Sequence, residues 1–109
     1  MSDITNKLRG GYYTPEMVAK FICDWAIVSP KATVLEPSCG DGVFIRKANS
    51  RLKALGSKNP SKRILGVELY PAEAQKASEK GGQIICNDFF AQCEDGLGEK
   101  RFDAVVGNP

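Results

Sequence analysis

A chain of 109 residues, 42% hydrophobic and 26% charged, has room for one domain and is too apolar to be disordered. A formal charge of +2 is too small to argue for nucleic acid by itself, and no apolar run approaches the ~20 residues of a bilayer span. Four cysteines without a C-x-x-C pair and the absence of histidine argue against a zinc site, and MSDITNKLRGG lacks the apolar centre of a signal peptide, so a cytoplasmic protein without a metal is expected.

Residues 1–11 carry no apolar period and read as a mobile arm before a domain over 12–109. Thr14 as N-cap, Pro15 at the first helical position and Glu16 near the dipole predict a helix from Pro15 to about Val28. Val18, Phe21, Ile22 and Trp25 give it a buried face at i, i+3, i+4, i+7 spacing. A first strand follows at about Thr33–Leu35, then a glycine loop, then a helix with Ile45, Ala48, Leu52 and Leu55 inside and Arg46, Lys47, Arg51 and Lys53 outside. A second strand at Arg63–Glu68 leads to a helix over about Ala72–Lys80, opened by Pro71, closed by Gly81-Gly82 and thinly apolar through Ala74 and Ala77. Gln83–Cys86 is a third strand, Cys93–Arg101 a polar surface loop, and Phe102–Val106 a fourth strand before Gly107-Asn108-Pro109. Cys23 and Cys86, each in an apolar run, read as small buried hydrophobes. Alternating strands and helices imply an α/β fold with a parallel sheet of about four strands and helices on both faces.

The loop in TVLEPSCGDGVF, Thr33 to Phe44, selects among ligands. A dinucleotide fingerprint needs a third glycine where Ile45 stands, and a phosphate loop needs a Lys and a hydroxyl that Gly42-Val43-Phe44 lacks. Glu36 would repel a phosphate and suits a cationic ligand. S-adenosylmethionine carries an ammonium and a sulfonium, together with a carboxylate that a helix N-terminus attracts. An ordinary strand-to-helix turn, its glycines serving geometry alone, is the competing reading. A Cys39 nucleophile is disfavoured, since no histidine exists to serve as its base.

Glu36, Glu68, Asp88 and Asn108 each follow a different predicted strand, which is where open parallel sheets bind ligands. Glu68 is placed to accept from ribose hydroxyls, and Asp88 from an adenine amine with Phe89 or Phe90 on the ring face. Singly, each has a plain structural explanation. Together they describe a pocket for one adenosine-bearing ligand.

At this point the sequence resembles the amino-terminal part of the gamma-class adenine-N6 DNA methyltransferases of restriction-modification systems. The matching segments are YYTP (Tyr12 to Pro15), LEPSCGDGVF (Leu35 to Phe44), GVEL (Gly66 to Leu69), NDFF (Asn87 to Phe90) and FDAVVGNP (Phe102 to Pro109). The resemblance implies a partial Rossmann-like methyltransferase fold with S-adenosylmethionine as cofactor. It implies that Thr14 meets the methionine carboxylate, Glu36 the amino group, Glu68 the ribose, Asp88 the adenine amine and Phe89 the ring. Tyr13, Pro37, Ser38, Cys39, Gly40, Gly42, Phe44 and Leu69 would complete the cofactor-binding set. Asn108, itself beside the cofactor, and Pro109 would open the family's N-P-P-Y/F catalytic loop, accepting both N–H bonds of the adenine amine.

Two departures accompany the resemblance. Tyr70 stands where the family often has an acid, and the chain ends before the second proline and the aromatic of the loop. A fragment is therefore expected, one that keeps the cofactor pocket but does not methylate DNA alone, and that meets DNA through a carboxyl-terminal part. The open edge of the fourth strand would favour self-association. Rival readings are methylation of a protein glutamine amide or of RNA, a non-catalytic cofactor-binding module completed by a partner, and an NAD domain, which Ile45 disfavours.

Overall fold

The computed structural model describes residues 14–108; the arm read over 1–11, Tyr13 and Pro109 lie outside the described residues. Four strands, β1 (Val34–Glu36), β2 (Ile64–Glu68), β3 (Gln83–Cys86) and β4 (Ala104–Val105), form one parallel sheet in the order β3-β2-β1-β4. Central β1 sets Leu35 beside Leu65 on one side and Val105 on the other. The chain moves from β1 outward to β3 and then returns across β1 to β4, so the order reverses between β1 and β4. At such a reversal the connections leave in opposite directions and a crevice opens at the carboxyl ends of the strands.

Side-chain alternation along β1 divides the interior in two. Val34 faces a large cluster built from α1 (Glu16–Ala26), α2 (Val43–Ala54) and α3 (Pro71–Ser78), including Ala19, Cys23, Ile27, Ile45, Ala48, Leu52, Ala77 and Val106. Leu35 faces a smaller one, made with Val67 and Leu97 and flanked by Phe89 of α4 (Phe89–Glu94) and by Phe102. The sheet thus carries helices on both faces, three on one and a short one on the other. Gly42, at φ +95°, opens α2 so close to α3 that a Cβ would stand 2.8 Å from the Ala77 Cα. At the other end of the β1/β4 pair, the Asp103 carboxylate accepts from the Thr33 N–H at 2.8 Å.

The buried faces of α2 and α3 are the expected ones, with Leu55 only partly buried. Helix α1 is not. Trp25 is 79% and Phe21 72% exposed, Val18 is also exposed, Ile22 is only partly buried, and Ala19, Cys23 and Ile27 fill the interface instead. The sequence offers two apolar stripes there, one bulky and one small. Periodicity cannot choose between them, and the close approach of α1 to α2 selects the small one.

The α1 start differs as well. Pro15 occupies the N-cap position with no side-chain cap, and the Thr14 hydroxyl is engaged elsewhere. Cys86 is exposed, because β3 is an edge strand. The loop read over Cys93–Arg101 contains the end of α4 and a 3-10 turn, Leu97–Glu99, whose Leu97 is buried. The signal overlooked was Asp88, whose side chain caps α4 by accepting from the Ala91 N–H at 2.9 Å. Arg63, expected to open the second strand, ends a 3-10 turn, Pro60–Arg63, and β4 is only two residues long.

The α1 result has a direct check by urea unfolding. Trp25→Ala is expected to change stability by no more than about 0.5 kcal/mol. Ile27→Ala, which empties a fully buried site, is expected to cost about 2–5 kcal/mol.

Candidate functional site

Parallel strands share one carboxyl edge, so the four polar residues read from the sequence arrive at the same end of the sheet. Glu36 and Glu68 are the last residues of β1 and β2, Asp88 lies two residues past β3, and Asn108 three past β4. An open cleft of about 300 Å³ lies at the reversal point, lined by Thr14, Glu36, Ser38, Cys39, Gly40, Asp41, Val43, Phe44 and Asn108. That volume includes the open space at its mouth, so the chemistry of the lining and not its size characterises the site. Glu68, Leu69, Asp88 and Phe89 do not line it. They lie along the neighbouring strand ends of β2 and β3.

Glu36 is the floor of the cleft and is only 2% exposed. Its Oε1 accepts from the Ser38 N–H at 2.8 Å. Burial pushes its carboxyl up to about 7; the Ser38 N–H opposes that rise and the nearby Glu68 charge adds to it. Above Glu36 lies Gly107, in a positive-φ conformation (+148°) and so near that a Cβ there would stand 2.6 Å from Glu36 Oε1. Sequence reading passed over Gly107. Its signal was a glycine directly before Asn-Pro, at the one point where the chain after β4 must cross a buried acid.

Glu68, also buried, holds the glycine loop. Its Oε1 accepts from the Gly40 N–H and its Oε2 from the Tyr70 N–H, both at 2.8 Å. The second bond gives the start of α3 an acidic partner from β2, since Tyr70 itself supplies no side-chain cap. The Cys39 N–H donates to the Val67 carbonyl at 3.0 Å, fastening the same loop to β2. A carboxylate has about four acceptor sites, so Glu68 retains capacity for hydroxyl donors.

The remaining wall comes from the start of α2, whose first N–H groups have no intrahelical acceptor and whose dipole favours an anion. Across the cleft the Asn108 Nδ2 donates to Thr14 Oγ1 at 3.4 Å, linking residues 94 apart in sequence. Pro37 lies in the loop between Glu36 and the cleft residue Ser38 and does not line the cleft. Asp41 and Val43 do line it and were absent from the expected set. Phe89 packs on the smaller core, edge-to-face with exposed Phe90 at 5.8 Å, and Leu69 is exposed at the end of β2.

Two buried thiols are held in their neutral form. Burial pushes Cys39 up to about 12, with the Glu36 and Glu68 charges adding to the effect, and burial does the same to Cys23. Among the described residues no group of three or more His, Cys, Asp or Glu is arranged to hold a metal, and no helix is long and apolar enough to cross a membrane.

The family described as N-6 DNA Methylase matches residues 2–109. The type II methyltransferase M.CvrRI of Paramecium bursaria Chlorella virus XZ-6E is 30% identical over 101 residues, covering 92% of this chain and 24% of that protein. A modification subunit of a type I restriction enzyme from Vibrio vulnificus YJ016 has a similar fold, with a TM-score of 0.70 at 18% identity over 86% of this chain and 22% of that one. The chain therefore spans about a quarter of the length of the relatives it matches. With a match that runs from residue 2 to the last residue, the chain belongs to the N-6 DNA methylase family.

Proposed function

We propose that this chain is the S-adenosylmethionine-binding part of a DNA methyltransferase that methylates the N6 amine of adenine, acting in the cytoplasm and inactive without further chain. The observation that carries the reading is the buried Glu36 carboxylate and a helix N-terminus lining one cleft. That pairing suits the ammonium and carboxylate of a methionine moiety and opposes a pyrophosphate. When bound, S-adenosylmethionine supplies an activated methyl group on a sulfonium.

In this reading Glu36 holds the ammonium, while Thr14 and the α2 N-terminus hold the carboxylate. Glu68 accepts from the ribose hydroxyls and Asp88 from the adenine amine, with Leu69 and Phe89 beside the ring. Asn108 and Pro109 accept the N–H bonds of the target amine, drawing its lone pair out of the ring, and orientation supplies much of the rate. An adenine inside a duplex must be flipped out to reach them. The family match and the type II relative favour DNA over RNA or a glutamine amide as the substrate.

Calorimetry of the purified chain is expected to show binding of S-adenosylmethionine and none of NAD; binding of NAD alone, or of neither, overturns the reading. The affinity carries a pH signature. An ammonium needs ionised Glu36, whose carboxyl stands at about 7, so binding weakens as pH falls through 7 and is about tenfold weaker at pH 6 than at pH 8. Glu36→Gln is expected to bind more weakly and to flatten that profile. In the ligand-free protein the raised pKa makes the Glu36 contribution to stability fully present below pH 4.5 and lost as pH rises through 7. Thermal melts of wild type and Glu36→Gln should therefore diverge across that window, in favour of the variant at the higher pH.

We also propose that the chain self-associates through β4, which among the described residues pairs only with β1 and carries Val105 at 60% exposure. Light scattering is expected to give a mass that rises with concentration, and a monodisperse monomer counts against it.

A further inference from the structure

The contact between Thr14 and Asn108 joins the beginning of the described chain to its end, across the cleft, and its chemistry is directional. A carbamoyl group presents an NH₂ on one side and an oxygen on the other, and only the oxygen can accept from an amine. A hydroxyl has one proton and two lone pairs, so by itself it can meet either side of an asparagine. What decides is where the hydroxyl sends its proton. If an anion takes that proton, the hydroxyl is left only as an acceptor, and Asn108 can meet it only with its NH₂. Asn108 Nδ2 is the atom that faces Thr14 Oγ1 in the structure.

Resting on the reading above, in which Thr14 meets the carboxylate of the cofactor, we propose that Thr14 is a positioning residue. Its hydroxyl, committed to a bound carboxylate, accepts from Asn108 Nδ2 and thereby turns Asn108 Oδ1 toward the target amine. Thr14 and Asn108 line the same cleft as the start of α2, so one carboxylate can reach both that helix end and the hydroxyl. Gly107 supports the arrangement from below. Its lack of a Cβ lets the backbone before Asn108 pass directly over Glu36. The orientation of the Asn108 carbamoyl group is thus set by occupancy of the cofactor site.

The test follows the side-chain amide signals of Asn108 in 15N-labelled chain by NMR, for wild type, Thr14→Ser and Thr14→Val, with the backbone amide spectrum as the check on folding. Without ligand, the Asn108 NH₂ protons are expected to be displaced from free-amide positions in wild type and in Thr14→Ser, and to fall back to them in Thr14→Val. Saturating S-adenosylhomocysteine is expected to slow their solvent exchange in wild type and Thr14→Ser, whereas decarboxylated S-adenosylmethionine leaves exchange as it is in the ligand-free chain. Binding of S-adenosylhomocysteine with no change at Asn108, or equal effects of the two ligands, overturns the inference alone. Failure of both ligands to bind overturns it together with the cofactor reading. Should Thr14→Val fail to fold, retention of the signals by Thr14→Ser together with the contrast between the two ligands decides.

Discussion

A carboxylate taken out of water must find donors or give up its charge. Glu36 is placed between those outcomes: one backbone N–H stabilises its anion, burial opposes it, and the result is a carboxyl at about 7. The surrounding structure follows from keeping it there. The loop after β1 turns back so that Ser38 can reach it, the glycine loop is fastened to β2 through Glu68 and Val67, and the segment after β4 crosses it at a residue without a side chain. A second carboxylate nearby would ordinarily be a liability. Glu68 is tolerable because each of its oxygens accepts from a backbone donor.

How much of this was legible in the sequence depended on whether the signal was local. Strand β3 and the polar residues at the strand ends could be read because a parallel sheet imposes a common edge on every acid that ends a strand. The α1 face could not be read. Its choice between Phe21/Trp25 and Ala19/Cys23 is made by how closely α2 approaches, a quantity that no spacing within α1 contains. Cys86 shows the same limit, since QIIC reads as a buried run and only the order of strands reveals that β3 is an edge. Asp88 was read for a ligand role, and its service as the cap of α4 went unseen with the helix itself.

In the site the same division applies. Gly40 and Gly42 were expected in the cofactor-binding set, and Gly42 does stand at a close approach, though what it approaches is helix α3. Gly107 has the tightest bearing on a functional side chain and carried the weakest sequence signal, because its partner is 71 residues away in a different strand. Glu68 turned out to have a second duty, latching the loop, that its position alone did not suggest. A residue at a strand end can bind a ligand and also shape the loop next to it, and only coordinates separate the two.

The chemistry open to this cleft is narrowed by what its groups can ionise. Cys39 lines it but keeps its proton far above neutral pH, since burial and two adjacent carboxylates all penalise a thiolate. Glu36 could accept a proton, yet it is buried beneath Gly107, so in the proposed reading it fixes a cation and does not shuttle protons to an incoming base. What remains at the rim are acceptor oxygens on the segment after β4 and hydroxyl and backbone donors opposite them. In the proposed reading these groups hold two reactants in line. On that reading the rate comes from alignment, and the orientation of a single carbamoyl group at Asn108 matters more than the acidity of any residue around it.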